Sequence, residues 1–338
     1  MKFFLYFILL SIGFYLVSCE EKKANPDTNL SIDKLAQKYP DSIPILIKYS
    51  ETLYKRYNVT KALNYAAKAY RLNPKDLEAR YIYAKCLNNY PRRTGQDIQL
   101  AQDQLLYYIK RKPKNPEALV QLAGTYKQQN DFEKAFKYVN EALRVDKHYR
   151  DAYILKGTMY QMDGNYKLAK SSYITAIEQD PDFYIAYLEV GTILQMERDT
   201  MCIQYFRSAT EIKPKSTDAW FNLAYAYQDF NQSDKALEVY RHMHKIDPKF
   251  AMSLFQQGWI KQFQQNQLDS AVIFYNEALQ TEPRFVEAWH NLGVIYEETK
   301  DPLEAMVYYK RALKYDKDFE LSIQAIERIT GKKAKRNK

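Results

Sequence analysis

Prolines recur in this chain at a nearly fixed interval, and that interval constrains the fold more than any other feature. Pro74, Pro113, Pro181, Pro214, Pro248 and Pro283 are spaced 39, 68, 33, 34 and 35 residues apart. The 68 is two periods of 34, with Lys147 standing where the middle proline would fall, and one further period after Pro283 reaches Lys317. Such a period marks a repeat array, whose units cannot bury an apolar face alone and must stack on one another. Alignment on it gives eight units: 43–76, 77–115, 116–149, 150–183, 184–216, 217–250, 251–285 and 286–319. The eighth residue of each is small: Ser50, Ala84, Ala123, Gly157, Gly191, Ala224, Gly258 and Gly293. The twentieth, allowing for insertions and deletions, is Ala62, Ala101, Ala135, Ala169, Cys202, Ala236, Ala271 and Ala305. Small residues at two fixed places let antiparallel helices approach to about 8 Å. Mostly aromatic and aliphatic residues at positions 4, 7, 11 and 24 surround that contact. Turn residues such as Asp163-Gly164-Asn165 break the chain between the helices. The proline at position 32 stops the second helix, because it lacks an N–H and clashes with the preceding turn.

The last unit reads Trp289-x-x-Leu292-Gly293-x-x-Tyr296, then Ala305-x-x-x-Tyr309 and Ala312. The sixth reads Trp220-x-x-Leu223-Ala224-x-x-Tyr227, then Ala236, Tyr240 and Pro248. This pattern resembles the tetratricopeptide repeat, and the resemblance covers residues 43–319, 277 of 338. It implies an all-α fold, a right-handed superhelical solenoid of about eight helix-turn-helix repeats, within a domain spanning 31–330. Glu320–Thr330, with Leu321, Ile323, Ala325, Ile326 and Ile329, reads as a C-terminal capping helix over the last repeat's open face. Ile32–Lys38 reads as a short cap at the other end. Unit two carries five extra residues around Asn88–Gln99, a lengthened turn that is either a tolerated surface loop or a partner contact through Arg92 and Arg93. Unit five is one residue short and unit seven one long, and Lys261 replaces the expected Tyr at position 11, which predicts a rotated first helix there.

Met1–Cys19 opens with Lys2 and continues as a largely apolar run from Phe3 to Val17. That run is short for a membrane span of about 20 residues and fits a secretory leader. Its end, Leu16-Val17-Ser18-Cys19, resembles the lipobox of bacterial lipoprotein signal peptides. The resemblance implies a signal peptide over 1–18, lipidation of Cys19, and acyl chains numerous enough for stable anchoring. Residues 19–30 read as a polar, flexible tether. Glu20, where some bacteria place a retention signal, favours the outer membrane with the body facing the periplasm. The net charge of +9 is mostly terminal: Lys2 carries one unit and the tail Lys332, Lys333, Lys335, Arg336 and Lys338 carries five, leaving +3 over residues 3–331. The body is nearly neutral, and the tail (331–338) is a solubilising end or a contact for anionic lipid.

Catalytic patterns are missing. His148, His242, His244 and His290 form no HExxH, no cysteine pair has metal spacing, and no G-x-S-x-G occurs. Cys86 and Cys202 read as small buried hydrophobes in separate units, too distant for a bridge. Four of nine Gly sit at position 8, leaving no phosphate-binding loop. The expectation is a non-enzyme without cofactor or metal.

Family resemblance places positions 2, 5, 6, 9, 12 and 13 of the first helices along a concave groove. Position 6 reads Asn222, Gln256 and Asn291 in the last three units, amides that can orient an extended peptide. Asn222 and Asn291 match an asparagine ladder used by some tetratricopeptide proteins. Beside them lie Phe221, Tyr225, Phe255, Trp259, Phe263 and His290. We read Asn222, Tyr225, Phe255, Gln256, Trp259, His290 and Asn291 as a peptide-binding set. The same aromatics packing against the next repeat is the competing reading. The two-carboxylate clamp of chaperone-binding relatives needs a Lys and Asn set that no three adjacent units supply. Asp218, Asp229, Glu287, Glu297 and Glu298 in the groove disfavour nucleic acid. Two functions fit: a membrane-tethered scaffold or adaptor for envelope proteins, or a glycan-binding lipoprotein using the aromatics as a platform.

Overall fold

A computed structural model describes residues 30–299 and 301–331. The leader, Cys19, nearly all of the tether and the tail from Lys332 lie outside the described residues. Every regular element among the described residues is helical. They form two compact units, 30–112 and 113–331. The first holds α1 (Ile32–Lys38), α2 (Ile43–Lys55), α3 (Val59–Leu72), α4 (Leu77–Asn88) and α5 (Gly95–Ile109). The second holds α6 (Pro116–Gln128), α7 (Phe132–Val145), α8 (Arg150–Met162), α9 (Tyr166–Gln179), α10 (Tyr184–Met196) and α11 (Cys202–Ile212). It continues with α12 (Thr217–Asp229), α13 (Ser233–Ile246), α14 (Ala251–Trp259), α15 (Leu268–Thr281), α16 (Val286–Glu298), α17 (Pro302–Tyr315) and α18 (Glu320–Thr330). Within each unit, successive helices pack as antiparallel pairs and each pair stacks on the next.

The same local devices build each pair. The residue at position 15 reverses the chain with positive φ at Tyr57, Asn130, Gly164, Arg198 and Asn231, with Asn266 one position later in unit seven. Asn58, Asp131, Asn165 and Asp301 then cap the second helices by accepting from backbone N–H groups three residues on. In several units position 4 ties the repeat to the preceding loop: Trp220 donates to the Pro214 carbonyl at 2.8 Å, Trp289 to Pro283 at 2.9 Å and Tyr153 to Lys147 at 2.9 Å.

The contact between paired helices depends on missing side chains. A Cβ added to Gly157, Gly191, Gly258 or Gly293 would lie 2.6–2.7 Å from the ring of Tyr173, Phe206, Tyr275 or Tyr309 respectively. The ring at position 24 therefore fills the space vacated at position 8. Where that ring is tyrosine, its hydroxyl donates to position 12 of the first helix: Tyr173 to Gln161, Tyr240 to Gln228, Tyr275 to Gln262 and Tyr309 to Glu297, at 2.8–3.1 Å. Unit five has Phe206 instead, and its position-12 Gln195 donates to Asp229 of the next unit at 3.1 Å.

The irregular units show where their length changes go. Unit two lengthens its inter-helix connection to Asn89–Thr94, and a capping box between Thr94 and Asp97 restarts the chain at α5. Unit five shortens its second helix to 11 residues. Unit seven does not simply rotate: α14 runs into a π-helical turn at Ile260–Gln264 that absorbs its extra residue. Lys261 bonds Gln265 and Gln267 across that turn, while Gln264 donates to the Gln228 carbonyl and accepts from Ser233. At the end of the second unit, α18 packs Ala325, Ile326 and Ile329 against Ala305 and Tyr309 of α17.

The near-neutral body expected from the pooled count is a sum of opposites. Residues 30–112 carry 16 basic against 7 acidic side chains, whereas 113–331 carry 26 against 31.

Candidate functional site

The last repeats of the second unit enclose a cavity of about 350 Å³. α12 brings Tyr225, Gln228 and Asp229 to it, α14 brings Phe255, Gln256 and Trp259, and α16 brings Glu287, His290 and Asn291. Phe319 and Leu321, at the start of α18, close the remaining side. Each of the three repeats contributes side chains separated by one helical turn, as expected for one face of a helix.

Six residues of the expected peptide-binding set share this wall: Tyr225, Phe255, Gln256, Trp259, His290 and Asn291. Asn222 does not line it; it lies half-buried on α12. Gln228, Phe319 and Leu321 were absent from that set. Gln228 stands at position 12, one of the expected groove positions, but is buried and accepts from the Tyr240 hydroxyl, while the α18 pair belongs to a segment whose sequence signals only capping. Arg198, from the turn after α10, reaches Asp229 at 3.1 Å.

The amides are more committed than a free ladder. Asn291 is only 9% exposed, and its side-chain amide donates to the Tyr275 hydroxyl at 3.1 Å. Gln228 donates to the Gln256 side-chain oxygen at 3.1 Å. These bonds fix the amides' orientation, so a ligand meets a pre-set pattern. The aromatic wall is graded in burial. Phe255 is buried against Phe285 and Tyr275. Trp259 is partly exposed beside Phe263, and Tyr225 is 40% exposed.

His290 bonds Ser322 through Nδ1 at 3.0 Å and lies between the Tyr309 and Phe319 rings. Burial, reinforced by the Arg328 guanidinium, pushes its pKa down from 6.5 to about 4. Glu297 accepts from Tyr309 and pairs with Arg328 at 2.8–2.9 Å, and Arg328 above all holds its carboxyl below the ordinary range. Between pH 6.5 and about 4 the unfolded chain binds a proton at His290 that the folded chain does not, so stability falls as pH drops through that window. Glu297 contributes stability that is lost only below the ordinary carboxylate range. Denaturation midpoints should therefore drop between about pH 7 and about pH 5, and His290→Gln should remove most of that drop. An equal drop in the variant would contradict this assignment.

The two described cysteines are buried free thiols, pushed by burial up to about 12 at Cys86 and about 11 at Cys202. Neither has the lowered pKa of a nucleophile. Among the described residues, no three His, Cys, Asp or Glu side chains converge as metal ligands would.

Residues 116–149, 151–183, 205–238 and 286–319 match models of the tetratricopeptide repeat. Among curated proteins, anaphase-promoting complex subunit 3 of Schizosaccharomyces pombe is 26% identical over 147 residues, 43% of this chain and 22% of that protein. Human protein O-mannosyl-transferase TMTC3 is 25% identical over 187 residues, 53% of this chain and 20% of that protein. The chain thus spans only about a fifth of either relative's length. Among solved structures, the C-terminal part of a TPR repeat-containing protein from Cytophaga hutchinsonii aligns with a TM-score of 0.59 at 15% identity, covering 73% of this chain and 99% of that one. That likeness is one of fold.

Proposed function

We propose that this chain, a tetratricopeptide repeat protein, is a non-catalytic scaffold that holds a peptide segment of a protein partner in the cavity of its last repeats. The observation that carries the reading is the cavity itself: three successive first helices and α18 converge on one concave site with aromatic walls and oriented amides. Buried anchors with a few directional polar groups are what recognition of an extended segment needs. The fission-yeast relative is by name a subunit of a complex, which accords with a scaffold.

The scaffold is anchored through lipid on Cys19 and works in the bacterial cell envelope, at the periplasmic face of the outer membrane. Support for this comes from the apolar leader ending in Leu16-Val17-Ser18-Cys19 and from the polar stretch after it. Cells expressing the chain should incorporate radiolabelled fatty acid into it and sediment it with membranes, and Cys19→Ser should do neither. A wild-type chain free of label would overturn the anchor. Screening the purified full chain against peptide and glycan libraries tests the binding role: retention by peptides supports it, and saturable retention by glycans alone would overturn it.

A further inference from the structure

Among the described residues, the charged side chains that line the cavity are Asp229 and Glu287. Arg198 pairs with Asp229 at its rim at 3.1 Å, which leaves Glu287 as the uncompensated carboxylate. Four aromatic rings, from Tyr225, Phe255, Trp259 and Phe319, share the wall with the two carboxylates. We propose that the cavity takes a lysine or arginine side chain of the partner's peptide, so that the ligand is read by positive charge. This rests on the peptide-scaffold reading and specifies its ligand.

Three features favour a cation. Aromatic faces attract ammonium and guanidinium groups through their quadrupoles, and a cavity of about 350 Å³ has room for a long basic side chain. Carboxylates at the wall supply the counter-charge. Glu287 is exposed and makes no hydrogen bond or ion pair among the described residues. Asp229 receives both Gln195 and Arg198 on Oδ2, which leaves Oδ1 open to a ligand. The guanidinium of Arg198, 5.6 Å from the Phe230 ring and on Asp229, already offsets part of that charge, so Glu287 carries most of the attraction. The surrounding unit adds a long-range term, since residues 113–331 carry 26 basic against 31 acidic side chains. His290 does not oppose a cation, because burial keeps it neutral near pH 7.

The test uses the purified full chain and immobilised short acetylated peptides of neutral sequence. Their central residue is arginine, lysine, citrulline, norleucine or glutamate. Arginine and lysine peptides should retain the chain at least about tenfold better than citrulline or norleucine peptides, and glutamate peptides should bind least. Glu287→Gln combined with Asp229→Asn should shrink that preference to about twofold, and Glu287→Gln alone should weaken basic-peptide binding about threefold. Glu287 is an exposed side chain with no partner to lose, so its variant keeps the fold. Equal or better binding of norleucine or glutamate peptides, lost in Trp259→Ala, would overturn the charge preference and leave the scaffold reading standing. Absence of Trp259-dependent binding to every peptide would overturn both.

Discussion

Gly293→Val should lower the unfolding midpoint sharply, by about 1–3 kcal/mol of overpacking or a few degrees per kilocalorie. The Cβ alone would fall 2.6 Å from the Tyr309 ring. That ring has nowhere to retreat. It is fully buried, its hydroxyl is held by Glu297, and Glu297 is held in turn by Arg328. Displacing it also disturbs His290, whose ring lies 5.2 Å away. Gly293→Ala should cost less, since unit six places Ala224 at this position with Tyr240 at its ring position, so the repeat can be built around one methyl. Gly95→Val is the control: a Cβ at Gly95 meets nothing within 4 Å, and stability should stay within about 0.5 kcal/mol. Urea or thermal denaturation checks all three, and an unshifted midpoint in Gly293→Val would refute the ring-into-gap account of helix pairing.

That account was open to sequence reasoning because its parts recur. Small residues at position 8 and large rings at position 24 can be compared across units, and both signals are steric and local. The partner of each ring hydroxyl at position 12 was less visible, since a glutamine on a helix face looks the same whether it is solvated or bonded beneath a neighbour. Unit seven illustrates a different limit. Its extra residue can be counted, but whether a turn or a helix absorbs it depends on packing across units. The π-helical turn at Ile260–Gln264 lets Gln262 still meet Tyr275 and lets Gln264 grip Gln228.

At the candidate site, residue identity was legible and bonding was not. Asn291 stood out as an amide, yet its N–H group is spent on Tyr275, a ring from the second helix of the preceding repeat. Arg198 comes from a turn, outside the positions that define a groove, so no repeat pattern brings it to Asp229. Leu321 was assigned to capping, but it is 56% exposed at the cavity edge. The net +3 of the body holds as a sum, but it combines a basic first unit with an acidic second one, and only the boundary at Lys112 and Pro113 separates them.

The second large effect is on binding, and it bears on the central claim that the cavity of the last repeats holds the partner. Trp259 presents a partly exposed indole to the cavity wall, the kind of aromatic anchor that dominates recognition energies. Trp259→Ala should weaken binding of the peptides retrieved by library screening by about 2 kcal/mol or more, which is at least about thirtyfold. Trp259 also packs against both neighbouring cores, so Tyr225→Ala, at a 40% exposed lining position, provides a second variant whose fold is less at risk. Ile273→Ala, 58% exposed on α15 and outside the cavity lining, should change nothing. Calorimetric titration of wild type and the three variants with one retrieved peptide is the most direct measurement. Loss of affinity in the Trp259 and Tyr225 variants, with Ile273→Ala unchanged, is the predicted result. Affinity retained in both cavity variants would contradict the claim.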